Sequence, residues 1–550
     1  MKNKKGFSII VGIAILCILL GMYYYIALPA INIHCKGFWY SLLFLGLMLT
    51  LFFGILRLRH VDIFKGHQKD QIDPKQLKLA FDSKMFKVTL SITIIIGAIY
   101  LIGSILSSPI VNSKKYRELI SIQESNFTDD IKQISYNEIP SLDKDSAVLL
   151  GTRKMGNMVE YVSQFEVSDD YTQINYKDTP VRVSPLEYGN IYKWFTNHRS
   201  GIPAYIRINM ATQNVECVKL QEGLKYTKSD HFGRNIYRYL RFNYPTYIFD
   251  ELSFEIDDNG TPYWICPVKD YTIGLFGGET ISNVVIVNAI TGEHTDYKTK
   301  DVPNWVDHVF SANLLIKYYD YYGTLKNGYI NSLFSQKGCL QTTDGYNYIA
   351  LNDDVWVYTG VTSVGQDASN VGFVLMNQRT AETKYYSIAG AEEHSAMQSA
   401  EGKVQQMKYT ATFPLLLNIA GEPTYFIALK DGAGLVKQYA MVNISKYTIV
   451  AIGDNITSCE KSYRDLLKSN NITNQASPSD TQKEGIIKKI SEAVIDGNSH
   501  YYILFEDDAA IYDVTVGEHV GIIRYNVGDK LKVTYIQGET VNTVTDIIQE

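Results

Sequence analysis

The chain lacks the short signatures that would announce a reaction. H-E-x-x-H, G-x-S-x-G and G-x-x-x-x-G-K-[ST] are all absent from its 550 residues, which excludes a motif-built zinc protease, a nucleophile-elbow hydrolase and a phosphate loop. A catalytic set assembled from distant residues is fixed by geometry and not by spacing, so it stays open. Arginine is sparse, and no stretch forms a basic stripe. With a net charge of only −6, nucleic acid is not an expected partner, because phosphate contacts need clustered cations. Cysteines are few and far apart. Cys217, Cys266, Cys339 and Cys459 have no Cys-x-x-Cys spacing and no histidine at ligand spacing, so zinc is excluded, and no metal or cofactor is expected. Disulfide pairing among these four stays open. Cys217 and Cys266 fall in predicted strands, 215–220 and 263–268, where a thiol serves as a small buried hydrophobe.

Ionisable groups are also missing from three long apolar stretches, 7–28, 37–56 and 85–108, apart from Lys87 at the edge of the third. Each has the roughly 20 residues that cross a bilayer. Transporters and proton pumps need charge inside the membrane, so these spans read as an anchor or a docking platform. A cleaved leader does not fit the first span, because its core is long and Tyr23, Tyr24 and Tyr25 are bulky where cleavage needs small residues. Lys2, Lys4 and Lys5 precede the first span, and Arg57, Arg59, Lys65, Lys69, Lys75, Lys78 and Lys84 lie between the second and third. The short 29–36 loop has only Lys36. Positive charge marks the cytoplasmic side. The N-terminus is therefore expected inside and residues 109–550 outside, with Lys114, Lys115 and Arg117 running against that trend.

What is abundant is tyrosine, 41 residues, which suits half-buried sheet positions with one wet edge. Residues 109–150 are expected to form a stalk or packing helix, centred on 114–134. Beyond them the chain is β-rich, and one weak unit recurs four times, beginning near Ile202, Gly260, Gly345 and Gly421. Each version has a turn, an aromatic strand, a loop, and an apolar strand that usually ends in Asn. Helices are expected at 232–242, 307–319 and 391–406. The predicted fold class is therefore a membrane-anchored α+β protein with lobes at 151–335 and 336–468. A polar linker, 469–482, leads to five short strands within 483–550 that suit a small, OB-like barrel.

The sequence at 258–264, 273–278 and 287–293 resembles PepSY-type modules, which pair a helix with a hairpin whose last strand ends in an N-A-x-T-G turn; here that turn is Asn288-Ala289-Ile290-Thr291-Gly292. The longer pattern, including 372–380, 395–402 and 413–419, resembles uncharacterised multi-span membrane proteins of Gram-positive bacteria, some labelled colicin-V-production-like. The resemblance covers about 150–455 and implies protease inhibition or peptide sensing at the cell surface. The chain departs from the simple module in having several fused units and no attached peptidase.

The loop from Asp270 to Glu279 is the most unusual segment. Tyr271, Gly274, Phe276, Gly277 and Gly278 are the candidate binding residues, because glycines let a partner approach the backbone closely. Asp307 and His308 are read as a helix start, since neighbours on a helix do not face each other. Asp353 and Asp354 are read as a solvated turn, with a cation as the alternative. No catalytic residue is assigned. The expected function is a membrane-anchored extracytoplasmic binding or scaffolding protein with a membrane or envelope protein partner and an unknown small-molecule ligand. The alternative is a surface hydrolase, or an inhibitor or sensor of peptidases, acting on peptide or cell-wall polymer between the lobes.

Overall fold

The computed structural model describes residue 14 and residues 17–60, 84–132, 139–365, 369–472, 481–495, 498–517, 519–536 and 541–548. Two helices, Lys36–His60 and Lys84–Leu106, contain stretches apolar and long enough to cross a membrane, Lys36–Gly54 and Lys84–Leu106. They pack together where Gly46 meets Thr93 and the Tyr40 and Tyr100 hydroxyls bond at 2.8 Å, small residues allowing close backbones. Cys17–Ala27 is a shorter apolar helix. Residues 7–13 of the expected first span, and most of the basic loop at 61–83, lie outside the described residues.

The β-rich region holds four sheets with one shared plan. A helix is followed by a short strand, a second strand, a long third strand, and then a fourth and fifth. The long strand takes both early strands on one edge and the fourth strand on the other. The four helices are Lys144–Gly156, Ile236–Asn243, Ala312–Thr324 and Glu393–Lys403. The four long strands are Thr179–Tyr188, Pro262–Ile273, Asp354–Ser363 and Glu422–Lys430. The ranges expected for the two lobes hold two sheets each, and an extra strand, Ile122–Glu124, pairs in parallel with the edge of the third sheet.

Local chemistry explains why the plan repeats. In three units the second strand turns into the long strand through two residues with positive φ: Lys177 and Asp178, Asn352 and Asp353, Ala420 and Gly421. That conformation matches the twist of paired strands. The fourth strand always ends in Asn, and its side chain accepts from backbone N–H groups of the next turn. Asn209 accepts from Ala211 and Thr212, Asn288 from Ile290 and Thr291, Asn377 from Arg379 and Thr380, and Asn443 from Lys446. A short amide that mimics the backbone closes a turn without a second strand's help.

Adjacent units share cores. Trp264, Phe254 and Cys266 of the second sheet pack with Tyr205 and Ile206 of the first. Helix Ala312–Thr324 buries Leu314, Leu315, Tyr318 and Tyr319 between Ile265 and Val284 of the second sheet and Val357 and Met376 of the third. Tyr358, Phe373 and Tyr425 join the third and fourth. All six cysteines are free thiols, with Cys266, Cys339 and Cys459 buried.

The expected helix over 114–134 does not form. Helix Pro109–Arg117 stops, Ile122–Glu124 joins the third sheet, and Phe127–Asp130 is a single turn whose Phe127 enters a core. Apolar spacing there marks core contacts made by three separate elements. The expected linker is also shorter at both ends: helix Ile456–Ser469 occupies its start and strand Thr481–Ile495 its finish. The last strands close a five-stranded barrel in the order Thr481–Ile495, Asn498–Phe505, Ile511–Thr515, Val541–Ile548, Lys530–Ile536.

Replacing Asn288 by Ala removes two side-chain acceptors from one turn and leaves three units intact. The expected loss is about 1–2 kcal/mol of local stability, read as faster hydrogen exchange at Ile290 and Thr291 than in the unsubstituted chain; unchanged exchange would remove the amide from the account of this turn.

Candidate functional site

The five candidate binding residues do come together, and what they meet is the end of the chain's own apolar helix Lys84–Leu106. Strands Pro262–Ile273 and Gly277–Asn288 form a hairpin with Ile273 opposite Gly277. Its tip lies on the end of helix Lys84–Leu106. Ser107 Oγ accepts from the Leu275 N–H at 2.8 Å and the Phe276 N–H at 3.1 Å, and donates to Gly103 O at 2.6 Å. The Leu275 carbonyl accepts from the His34 ring at 2.8 Å. Phe276 packs on Trp39 and Tyr100, and Tyr271 stacks on His34. Gly274 has φ of 63° and Gly278 of 62°. A Cβ on Gly277 would strike Ser107 O and the Tyr116 hydroxyl. The glycines are thus needed for close approach, and the approaching backbone is residues 103–108.

A second opening lies elsewhere. A cavity of about 590 Å³ sits where the four units converge. Three units contribute the segment that begins their second strand, Tyr171–Gln173, Leu252–Phe254 and Tyr346–Tyr348, and the fourth contributes Ala411–Phe413, just before its second strand Leu415–Ile419. Aromatic rings and hydrogen-bonding groups line it together, which is the usual make-up of a ligand pocket.

Arg182 is the unusual group in its wall. The guanidinium is 5 % exposed and bonds only neutral oxygens, Leu142 O and Gln173 Oε1, both at 3.3 Å. Among the described residues no carboxylate lies within ion-pair distance of it. Burial lowers its pKa, opposed by Tyr348, Asp143 and Asp145. The amide Nε2 of Gln173 is buried without a partner. Asp143, by contrast, is committed. Burial pushes its carboxyl up, but Lys430 at 2.6 Å and the Ser146 N–H outweigh that and hold it below the ordinary value. A buried cation without a counter-ion is costly, and an anionic or carbonyl oxygen in the cavity would offset that cost.

Behind this wall the structure corrects the reading of Asp307 and His308. They do not start a helix; Ser311 does, at Ala312. Glu255, which spacing did not single out, is fully buried and accepts from the Asp307 N–H at 2.9 Å, the His308 N–H at 3.1 Å and Ser253 Oγ at 3.0 Å. Asp307 accepts from the Asn175 N–H at 2.7 Å, and its other oxygen has no partner. Burial and then the Glu255 charge push the Asp307 carboxyl far up, whereas Glu255, raised by burial, keeps three donors. His308 Nε2 donates to Gln173 O at 2.6 Å, which fixes its tautomer and removes that nitrogen as a base. Asp354 is not solvated either: Arg379 grips both its oxygens at 2.6 and 2.9 Å. The chain contains two S-x-x-K spacings, Ser141 to Lys144 and Ser458 to Lys461, but Ser141 is buried and donates to Met210 O at 3.3 Å, and Ser458 is spent in a helix capping box with Asn455. No cluster of three or more metal-ligating side chains occurs among the described residues.

Comparison with known proteins adds little. No family model and no curated protein matches the chain. Among solved structures, a polysaccharide lyase is 10% identical over 63% of this chain and 74% of its own, at a TM-score of 0.15. A Trypanosoma rangeli sialidase is 10% identical over 69% of this chain and 54% of its own, at 0.14. At such scores neither fold nor activity passes to this chain.

Two tests follow from these sites. Ser107→Ala removes the acceptor of two hairpin N–H groups and should lower thermal stability in detergent by about 1–3 kcal/mol, with proteolysis appearing between the apolar helices and the sheets. Stability equal to that of the unsubstituted chain would show the contact to be unimportant. For the acid pair, raised folded-state pKa values mean stability that is full at low pH and is lost as pH rises above the unfolded value of about 4. Asp307→Asn should flatten that loss, whereas Glu255→Gln should cost about 2–4 kcal/mol by turning an amide N–H₂ toward backbone donors. Denaturant titration at pH 5 and pH 8 separates the two variants.

Proposed function

We propose that the chain is a membrane-anchored binding protein whose ligand occupies the cavity between its four repeated units on the outer face of the membrane. The Lys and Arg bias around the apolar stretches supports this orientation. The repeated helix-and-meander plan with its Asn-closed turn supports a PepSY-like reading of the units. The barrel order supports an OB-like one. The observation that carries the proposal is Arg182: a buried guanidinium without a carboxylate partner, in a wall to which all four units contribute segments.

Such a wall suits a short peptide or saccharide segment that offers a carboxylate to Arg182 and rings or aliphatic groups to Tyr171, Tyr346, Tyr348 and Phe413. The surface-hydrolase alternative has less support, because Glu255, Asp307 and His308 are tied to backbone groups. A partner in the envelope would engage the chain elsewhere, since the Tyr271–Gly278 hairpin is already covered from within.

Calorimetry of the full chain in detergent with short peptides, each with a free or an amidated C-terminus, tests the reading. Free acids are expected to bind at least about tenfold more tightly, the worth of one charge-assisted contact of about 1.4 kcal/mol. Arg182→Gln should erase that preference. Asn313→Trp, a substitution at an exposed rim residue, should weaken both forms. Equal binding of acid and amide, or no effect of the rim variant, overturns the assignment.

A further inference from the structure

A surface near the first apolar helix has no cover among the described residues. In helix Ile191–Asn197, Trp194 is buried and its Nε1 donates to Asp230 Oδ1 at 3.0 Å. Asp230 is in turn held by Thr227 Oγ1 at 2.9 Å. This pin fixes which side of the short helix faces outward. Ile191, Tyr192 and Phe195 are 56%, 79% and 71% exposed. Beside them Phe232 is 63% exposed, 5.6 Å from the Trp194 ring and at φ of 53°, a backbone conformation that costs a bulky residue energy. Folding left to itself buries such rings. Here four large apolar side chains are held out of the core by well-made contacts.

The patch is continuous with the end of the apolar helix Cys17–Ala27. The Phe232 carbonyl accepts from Arg238 Nη1 at 2.9 Å, and the Arg238 guanidinium lies 4.3 Å over the Tyr25 ring. Phe242 packs edge-on to Tyr24 at 5.9 Å. Arg241 Nε donates to Leu28 O at 2.9 Å, and the Ile31 N–H to Pro245 O at 2.8 Å. The surface therefore starts where the chain would leave the membrane. Its charge is of one sign. Segments 191–200 and 231–243 contain no Asp or Glu; Lys193, Arg199, Arg234 and Arg238 reach the surface, while Arg241 is buried and spent on backbone carbonyls. Among the described residues none of these four surface cations forms an ion pair.

Aromatic rings beside unpaired cations next to a membrane helix match the chemistry of the headgroup layer, where rings sit at the acyl boundary and cations meet phosphate. We infer that Ile191, Tyr192, Phe195 and Phe232 insert into the outer leaflet and that lipid, not a protein, covers them. The first two units then lie down on the bilayer, held there by more than their tether. The inference rests on the membrane-anchor reading given above.

The test uses the full chain in vesicles of phosphatidylcholine and phosphatidylglycerol, with and without bromine on the acyl chains. Phe195→Trp and Phe232→Trp each add one indole at the patch, and the signal is the difference from the unsubstituted chain. Brominated lipid is expected to remove more than about half of the added emission, because side chains seated at the boundary lie within about 5–10 Å of the acyl region. Aqueous iodide should have little effect. Emission quenched by iodide and untouched by brominated lipid overturns the lipid contact. Flotation of the vesicles is read separately: a chain that does not float overturns the anchor and this inference with it, whereas one that floats without lipid quenching overturns this inference alone. Phe195→Trp leaves the strained backbone at Phe232 unaltered, so it decides the matter if the second variant misfolds.

Discussion

Everything in the β-rich region depends on burial shared between units. One helix covers only part of a five-stranded meander, and a sheet with an apolar face must find another layer for it. Here the layer is the next unit. Trp264 and Cys266 complete a core begun by Tyr205 and Ile206, and helix Ala312–Thr324 is apolar on two sides because it serves two sheets. A single unit cut from the chain would expose these faces, so the four stand or fall together. The same constraint creates the cavity. Long strands pack along their apolar middles, while the mixed aromatic and polar segments around the starts of the second strands converge without filling the space between them.

The apolar helices are attached by a contact of a different kind. Hydrogen bonds from the consecutive backbone N–H groups of Leu275 and Phe276 to Ser107 Oγ are short and directional, and they require glycine on the approaching hairpin. Apolar packing alone would tolerate sliding at the edge of a bilayer, where lipid competes for the same surfaces. The Ser107 clamp, the His34 bond to Leu275 O and the Trp39–Phe276 contact set one registry between helix end and sheet.

Much of this was legible in the residues. The apolar stretches at 37–56 and 85–108 overlap the long helices, and the Asn that ends an apolar strand stood out in three of the four units, whereas in the first the strand that ends in Asn209 read as the unit's opening strand. The glycines of 274–278 were legible as a place of close approach, but not what approaches, since Ser107 lies 167 residues before Gly274 in the sequence and pairing at that distance leaves no periodic trace. Glu255 was invisible for a related reason. In the strand Ser253–Ile256 its alternation reads as an ordinary outward carboxylate, and only the third dimension brings the Asp307 and His308 N–H groups to it. The helix expected over 114–134 failed because period-3.6 spacing of Leu119, Ile122, Phe127 and Ile131 is also produced by short segments that deliver the first two side chains to one core and the last two to another.

The cavity and the membrane contact share one element. Strand Pro262–Ile273 places Pro267 in the cavity wall and ends at the Ser107 clamp. Six residues of extended chain span about 20 Å, and this strand is paired on both sides, with Asp250 and Glu279 gripping Lys269 between the two places at 2.8 and 2.7 Å. Burial disfavours the Lys269 charge, but the two carboxylates outweigh it and raise its pKa, so the knot stays charged throughout the neutral range. A strand fixed at both edges transmits displacement instead of absorbing it. Whatever shifts the Pro267 end must either break the Lys269 knot or move the hairpin tip against the helix ends, and the second costs fewer buried charges.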